Sequence, residues 1–170
     1  MSTVNLTQTN SFKLYPIAEA CLQNMHLQPA QQEIVRDCIS RYSKPDTFCA
    51  VLKWIVFRVT ELFKGKNSEW NTTKKMIQDH AMEVAIQQGL VQRNPQSSLE
   101  KHIEERFADL AQTFVDRTLD LCLLAQNRRA PLLNGERQNL ENTELSYLIA
   151  LAKSKIDPIR ARALHSSSQL

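Results

Sequence analysis

The fold of this chain is decided by residues 99–125, which read LEKHIEERFADLAQTFVDRTLDLCLLA. Apolar side chains recur there at intervals of three and four, with one longer step at Arg117, at Leu99, Ile103, Phe107, Leu110, Phe114, Leu121 and Leu124. That spacing is typical of an α-helix with one buried face. Just before it, Ser97 and Glu100 form a capping box, which predicts the helix start. Because the row spans fewer than four heptads and has no matching partner elsewhere, it predicts the backbone helix of a bundle rather than a coiled coil.

Segments on both sides of this row also have helical patterns. We expect helices to begin near Leu14 or Pro16, Pro29, Asp46 or Thr47, Asn71 or Thr72, and Thr143, with a further turn or two opening at Asp157-Pro158. The two early prolines suit the first turn of a helix. Gly65 and Gly89 suit helix ends, where a left-handed residue is common.

The whole chain has the composition of an ordinary globular protein, with 42% hydrophobic and 23% charged residues among 170. Only three glycines are present, too few for the turns of a many-stranded sheet protein. The sequence therefore predicts an all-α, single-domain helical bundle of about five to seven helices. Its domain is expected to span residues 12–164, between a flexible polar arm at 1–11 and a disordered tail at 165–170.

The third predicted helix, from Phe48 to Phe63, is apolar around most of its circumference. Such a helix is expected at the centre of a bundle. It contains Lys53, Arg58 and Glu61 and is shorter than the roughly 20 residues needed to cross a bilayer, so we expect no membrane span there.

The four cysteines are widely spaced and lie in apolar helical patterns, at Cys21, Cys38, Cys49 and Cys122. This placement predicts reduced core thiols in a cytoplasmic protein, and no secretory leader is apparent. The Ser-, Thr-, Asn- and Gln-rich arm leaves open export by a non-classical or type III-like route.

A search for catalytic groups finds no glycine-rich phosphate loop, no nucleophile elbow and no metal-binding His-Glu-x-x-His motif. The cluster of Asp79, His80 and Glu83 could pair a carboxylate with an imidazole, but we interpret it as a solvated helix face. We therefore expect no catalytic, cofactor-binding or metal-binding residues, and no cofactor.

A basic, aromatic segment at residues 53–75 supplies the candidate partner-binding residues. It contains six Lys and Arg against two Glu, and from it we select Arg58, Lys66 and Trp70, because Trp and Arg are enriched at binding hot spots. The chain is accordingly expected to be a non-enzymatic helical protein-interaction module, an adaptor, a scaffold or an effector-like protein. A second copy of the chain is one of the partners considered.

The alternative function is nucleic-acid binding through the C-terminal part of the chain. The net charge of +3 arises entirely after residue 127, where seven Lys and Arg stand against four Asp and Glu. Basic side chains bind phosphates without regard to base sequence. The candidate phosphate-binding residues of this alternative are Arg128, Arg129, Arg137, Arg160 and Arg162.

Overall fold

The structure is a computed structural model that describes residues 12–129 and 140–169. Its helices are α1 (Pro16–Asn24), α2 (Pro29–Tyr42), α3 (Phe48–Lys64), α4 (Glu69–Gln87), α5 (Ser98–Arg128) and α6 (Leu145–Ser168). A 3-10 turn at Gly65–Asn67 joins α3 to α4. These ranges contain no strand, so the predicted all-α, single-domain fold is confirmed. The polar arm predicted at 1–11 and Arg137 lie outside the described residues.

Helix α5 forms the centre of the bundle. Helices α1 and α4 make the largest contacts with it, and α6 and α2 also pack against it. Its first half buries Ile103 and Phe107, as the periodicity predicts. Its second half buries an adjacent face, which includes Val115, Leu119 and Cys122. The long helix therefore supplies a core-facing side chain at nearly every turn, and more of its residues are buried in its second half than in its first.

Local sequence explains most helix boundaries. The Ser97 hydroxyl accepts the Glu100 N–H at 3.1 Å and caps α5. The predicted capping box is only half formed, because the Glu100 carboxylate pairs with Arg160. Gly65 follows α3 with φ of +55°, a conformation that L side chains rarely adopt. One boundary differs from the prediction, because α4 begins two residues early, with Ser68 as its cap accepting the Asn71 N–H at 3.2 Å.

Helix α6 corrects the prediction for the end of the chain. A short helix and a separate turn at Pro158 were expected, but a single helix runs from Leu145 to Ser168 with Pro158 inside it. Proline removes one backbone hydrogen bond from a helix interior. The burial of Ala152 and Ile156 just before it holds the helix on the body, so the break that proline favours does not occur. The helix also includes residues 165–168, where the sequence predicts a disordered tail.

The expected central position of α3 is wrong. Most of its large apolar side chains are exposed, and Glu61 is its one buried residue. Its main packing partners are α2 and the 3-10 turn, and none of its residues belongs to the hydrophobic core cluster. Apolar periodicity identifies the hydrophobic side of a helix, but it does not show whether the fold covers that side.

Candidate partner-binding surface

Helix α3 packs with Arg58 and Glu61 toward the body and with many of its apolar groups toward solvent. The inward side carries Trp54, Phe57, Arg58 and Glu61, all partly or fully buried. The opposite side carries large aliphatic and aromatic side chains that are exposed. In an ordinary amphipathic surface helix the whole apolar stripe faces the core, whereas here two charged residues face the body and a second apolar stripe faces solvent.

One residue of α2, Tyr42, makes most of the polar and aromatic contacts that attach α3. Its backbone carbonyl accepts hydrogen bonds from Trp54 Nε1 at 3.0 Å and from Arg58 Nη1 at 3.3 Å. Its ring meets Phe57 edge-on, with centroids 5.2 Å apart, and lies 5.0 Å from the Arg58 guanidinium. The Trp70 ring of α4 packs on Tyr42 as well, at 5.0 Å. Tyr42 therefore joins three helices.

The Tyr42 hydroxyl also reaches the buried carboxylate of α3. It donates a hydrogen bond of 2.9 Å to the Glu61 carboxylate and accepts one of 3.2 Å from the backbone N–H of Trp70. Glu61, only 4% exposed, further accepts the Glu69 N–H at 2.7 Å and the Lys64 ammonium at 2.6 Å. A buried carboxylate requires such partners. The network fixes the C-terminal half of α3 to the start of α4.

These contacts shift the pKa values of Glu61 and Tyr42. The Lys64 ammonium, and then the Glu69 N–H, lower the pKa of Glu61 below its usual value of 4.5. Burial, and then the hydrogen bond to Glu61, raise the pKa of Tyr42 to about 12. Both shifts favour the charge states that the network needs, a neutral phenol donating to an ionised carboxylate.

The exposed side of α3 forms a continuous apolar stripe, which we call the outer face. Its members are Phe48, Cys49, Leu52, Ile55, Val56, Val59, Leu62 and Phe63. Phe48 is 77% exposed, Leu62 80% and Phe63 88%. Consecutive members are one or three positions apart, and members four positions apart, such as Phe48 and Leu52, also recur, so they share one side of the helix. No charged residue lies within the stripe.

The outer face is large for a surface that stays in water. Its two phenylalanines leave roughly 300 Å² uncovered, given areas of 150–250 Å² for aromatic side chains. The aliphatic members raise the apolar total to about 600 Å² when each contributes in proportion to its exposure. The largest apolar patch of a typical monomer is about 300–600 Å² and is often functional. The outer face is at the top of that range.

The three partner-binding candidates from the sequence lie beside the inner side of α3. Arg58 and Trp70 line the same hollow of about 390 Å³, together with Tyr42, while Lys66 is exposed on the 3-10 turn. Arg58 stacks on the Tyr42 and Trp54 rings, and Trp70 is half-buried against the core. The structure thus brings two of the three together, in positions where they support α3.

The candidate phosphate-binding arginines do not converge on one surface. Arg128 and Arg129 lie at the C-terminal end of α5, where Arg129 pairs with Asp46. Arg160 pairs with Glu100 at 2.9 Å, at the opposite end of α5, about 42 Å away along the helix. Arg162 is exposed on α6 near Arg160. Arg137 lies outside the described residues.

The cluster of Asp79, His80 and Glu83 lines a groove of about 880 Å³ between α4 and α6. Its carboxylates are occupied by basic neighbours, since Asp79 pairs with Lys75 at 3.1 Å and Glu83 with Arg93. Burial lowers the pKa of the His80 imidazole. The three side chains therefore do not form a carboxylate–imidazole pair.

Within the described ranges, no three His, Cys, Asp or Glu side chains approach closely enough to hold a metal ion. None of the helices in those ranges is long and apolar enough to cross a membrane. Comparison of the chain with family models, with curated proteins and with solved structures gives no match.

Proposed function

We propose that this chain is a non-enzymatic helical protein-interaction module that binds its partner through the outer face of α3. The observation that carries the proposal is the exposure of a large apolar stripe on a helix whose charged residues Arg58 and Glu61 face the body. Arg58 and Glu61 are turned inward, onto Tyr42, while eight neighbouring positions of apolar character are exposed. A helix held in this way by specific polar contacts presents its apolar side as a defined surface.

The size of the outer face is sufficient for binding. Covering about 600 Å² of apolar surface gains on the order of 15 kcal/mol before costs. Association costs an estimated 4–15 kcal/mol in lost translational and rotational freedom, with further costs for ordering side chains. The anchoring network reduces the ordering cost, because the backbone of α3 is already helical and attached. At the lower end of that cost, several kcal/mol remain for a complex of moderate affinity.

The spacing of the outer face indicates how a partner would bind. Leu52, Ile55, Val59 and Leu62 follow the i, i+3, i+7 and i+10 positions along one side of the helix. This pattern is the one by which a helix inserts into an apolar groove or packs on another helix. Phe48 and Phe63 stand at the two ends, about 22 Å apart along the axis. A matching partner surface would be about that long.

Photo-crosslinking in the cells that express the chain tests the proposal. We expect p-benzoylphenylalanine in place of Phe63 to give discrete covalent adducts on irradiation, because that side chain is 88% exposed on the outer face. The matched control places the same residue at position 164, since Leu164 is 73% exposed on α6 and distant in sequence. Adduct masses are read on denaturing gels.

A second substitution separates specific docking from chance contact. Adding Leu52→Glu to the crosslinking variant should remove the adducts, because a carboxylate would be buried without a partner in the contact. Adding Leu164→Glu should leave them unchanged. Equal labelling from positions 63 and 164, or adducts that survive Leu52→Glu, would show that the outer face is not a docking surface.

A further inference from the structure

The outer face has nearly the same outline from either end of α3. Its members lie in pairs at equal distances from a midpoint between Ile55 and Val56, and the pairs are Phe48 with Phe63, Cys49 with Leu62, Leu52 with Val59, and Ile55 with Val56. Reversing the helix direction therefore places an apolar residue on every apolar position. Such a surface is complementary to a reversed copy of itself, as a two-fold symmetric contact requires.

We propose that the occupant of the outer face is a second copy of this chain, with two α3 helices packed antiparallel about a two-fold axis beside their midpoints. This inference rests on the proposed function and identifies its partner. In this arrangement Ile55 meets Ile55 and Val56 meets Val56 of the other copy, while Leu52 meets Val59. The two-fold axis brings together residues on the same flank of the two stripes, so the contacts at the ends differ from the pairs within one helix. There, Phe48 meets Leu62 of the other copy and Cys49 meets Phe63.

The charges around the outer face permit this pairing. Its nearest exposed lysines, Lys53 and Lys64, lie on the flank of the stripe and remain in solvent when the two stripes meet. Arg58 and Glu61 are held inward by Tyr42. The contact therefore covers apolar groups without removing any charge from water, which avoids the desolvation penalty that charged interfaces suffer.

The area buried between the two copies determines how tightly the dimer is expected to bind. Two outer faces of about 600 Å² each would bury about 1,200 Å² in total, the lower end of the range for specific, stable interfaces. We therefore expect a dimer that dissociates on dilution. Further contacts between the two bodies would strengthen it.

Sedimentation velocity of the full chain over a concentration series is the first test. We expect a concentration-dependent shift from monomer to dimer. Val56→Glu should raise the dimer dissociation constant about a hundredfold or more, because two carboxylates meet beside the axis. Val56 is exposed, so the substitution leaves the core intact, and circular dichroism checks the helix content. Leu164→Glu is the matched control and should not change the constant.

Disulfide trapping tests the antiparallel register. Phe63→Cys should place a new thiol beside Cys49 of the other copy, with Cα atoms about 6 Å apart, within disulfide range. Oxidation by copper phenanthroline should then give a dimer linked by two disulfides. The unmodified chain should not crosslink in this way, because the two Cys49 residues would be about 20 Å apart. Leu164→Cys serves as the control for random collision.

Several outcomes would overturn the self-pairing. The self-pairing is wrong if the chain stays monomeric at all concentrations, or if Val56→Glu leaves the dimer dissociation constant unchanged. Rapid Cys49–Cys49 crosslinking would indicate that the two helices pair in parallel. If the chain is monomeric but crosslinking at position 63 captures a different protein, the proposed function stands and this inference fails. If the monomer binds phosphatidylserine vesicles and Val56→Glu abolishes that binding, the outer face binds a lipid surface, and both the proposed function and the self-pairing are wrong.

Discussion

At the scale of single residues, Tyr42 makes most of the contacts that attach α3 to the body, although it is the last residue of α2. Its carbonyl, ring and hydroxyl each contact α3, and the hydroxyl also accepts a backbone N–H of α4. The pKa of its phenol is raised to about 12. A raised tyrosine pKa contributes stability in full below the ordinary value of 10, and that contribution is lost as pH rises through 12.

Removing the Tyr42 hydroxyl should loosen α3. We expect Tyr42→Phe to lower the free energy of unfolding by about 1–3 kcal/mol, because Glu61 loses a donor and the Trp70 N–H loses its acceptor. Urea unfolding followed by circular dichroism measures the change. Tyr147→Phe is the matched control, since Tyr147 is 44% exposed on α6. A loss no greater than that of the control would show that the network does not hold α3.

At the scale of the element, α3 shows what the sequence could and could not predict. Its boundaries were predicted correctly, because Thr47 precedes the apolar run and Gly65 permits the positive φ at which this helix ends. Its orientation was not, because Trp54 and Phe57 look like core residues beside Leu52 and Ile55. The available signal was the position of Arg58 and Glu61, which lie on the same side of the helix as those two aromatics. Their partner, Tyr42, lies on another helix, and local periodicity does not identify such contacts.

Acid should detach α3 from the body. The pKa of Glu61 is lowered, chiefly by the Lys64 ammonium, so its contribution to stability is present above the usual 4.5 and is lost as pH falls below that value. Fluorescence of Trp54 and Trp70, both in contact with Tyr42, should change over that interval. Glu61→Gln should remove most of this change, because its side chain no longer titrates.

The control for this titration is Glu100→Gln. Glu100 pairs with Arg160 at the far side of the bundle, so its replacement should leave the acid transition of the tryptophans as it is in the unmodified chain. If Glu61→Gln and the unmodified chain give the same transition, protonation of Glu61 is not what releases the helix.

At the scale of the whole molecule, the sequence predicted the class of fold but not its packing order. The apolar row of α5 predicted a backbone helix of the bundle, and Ile103 and Phe107 are fully buried as expected. The central position, however, was predicted for α3, and α5 occupies it. The expectation that all four cysteines are core thiols is wrong for one of them, because Cys49 is exposed on α3. Burial raises the pKa of Cys21 to about 11 and of Cys38 to about 12, and raises that of Cys122 well above its usual value.

Thiol labelling should therefore distinguish one cysteine from three. In dilute, folded protein at neutral pH we expect a disulfide reagent such as dithionitrobenzoate to modify Cys49 alone, because a buried thiol reacts slowly as both access and thiolate are lost. Four thiols should react after unfolding in guanidinium. Cys49→Ser should abolish the rapid phase. Rapid reaction of two or more thiols in the folded state would contradict the assignment of the core.

Because no residue of α3 belongs to the core cluster, the packing of the core and the proposed binding through the outer face depend on different residues. Replacing Leu62 or Phe63 by a smaller residue opens no internal cavity, so it avoids the cost that truncation imposes in a core. The outer face can therefore diversify by single substitutions while the bundle beneath stays the same. A family of binders with different specificities could be built on this scaffold by randomising the outer face and leaving Tyr42, Arg58 and Glu61 unchanged.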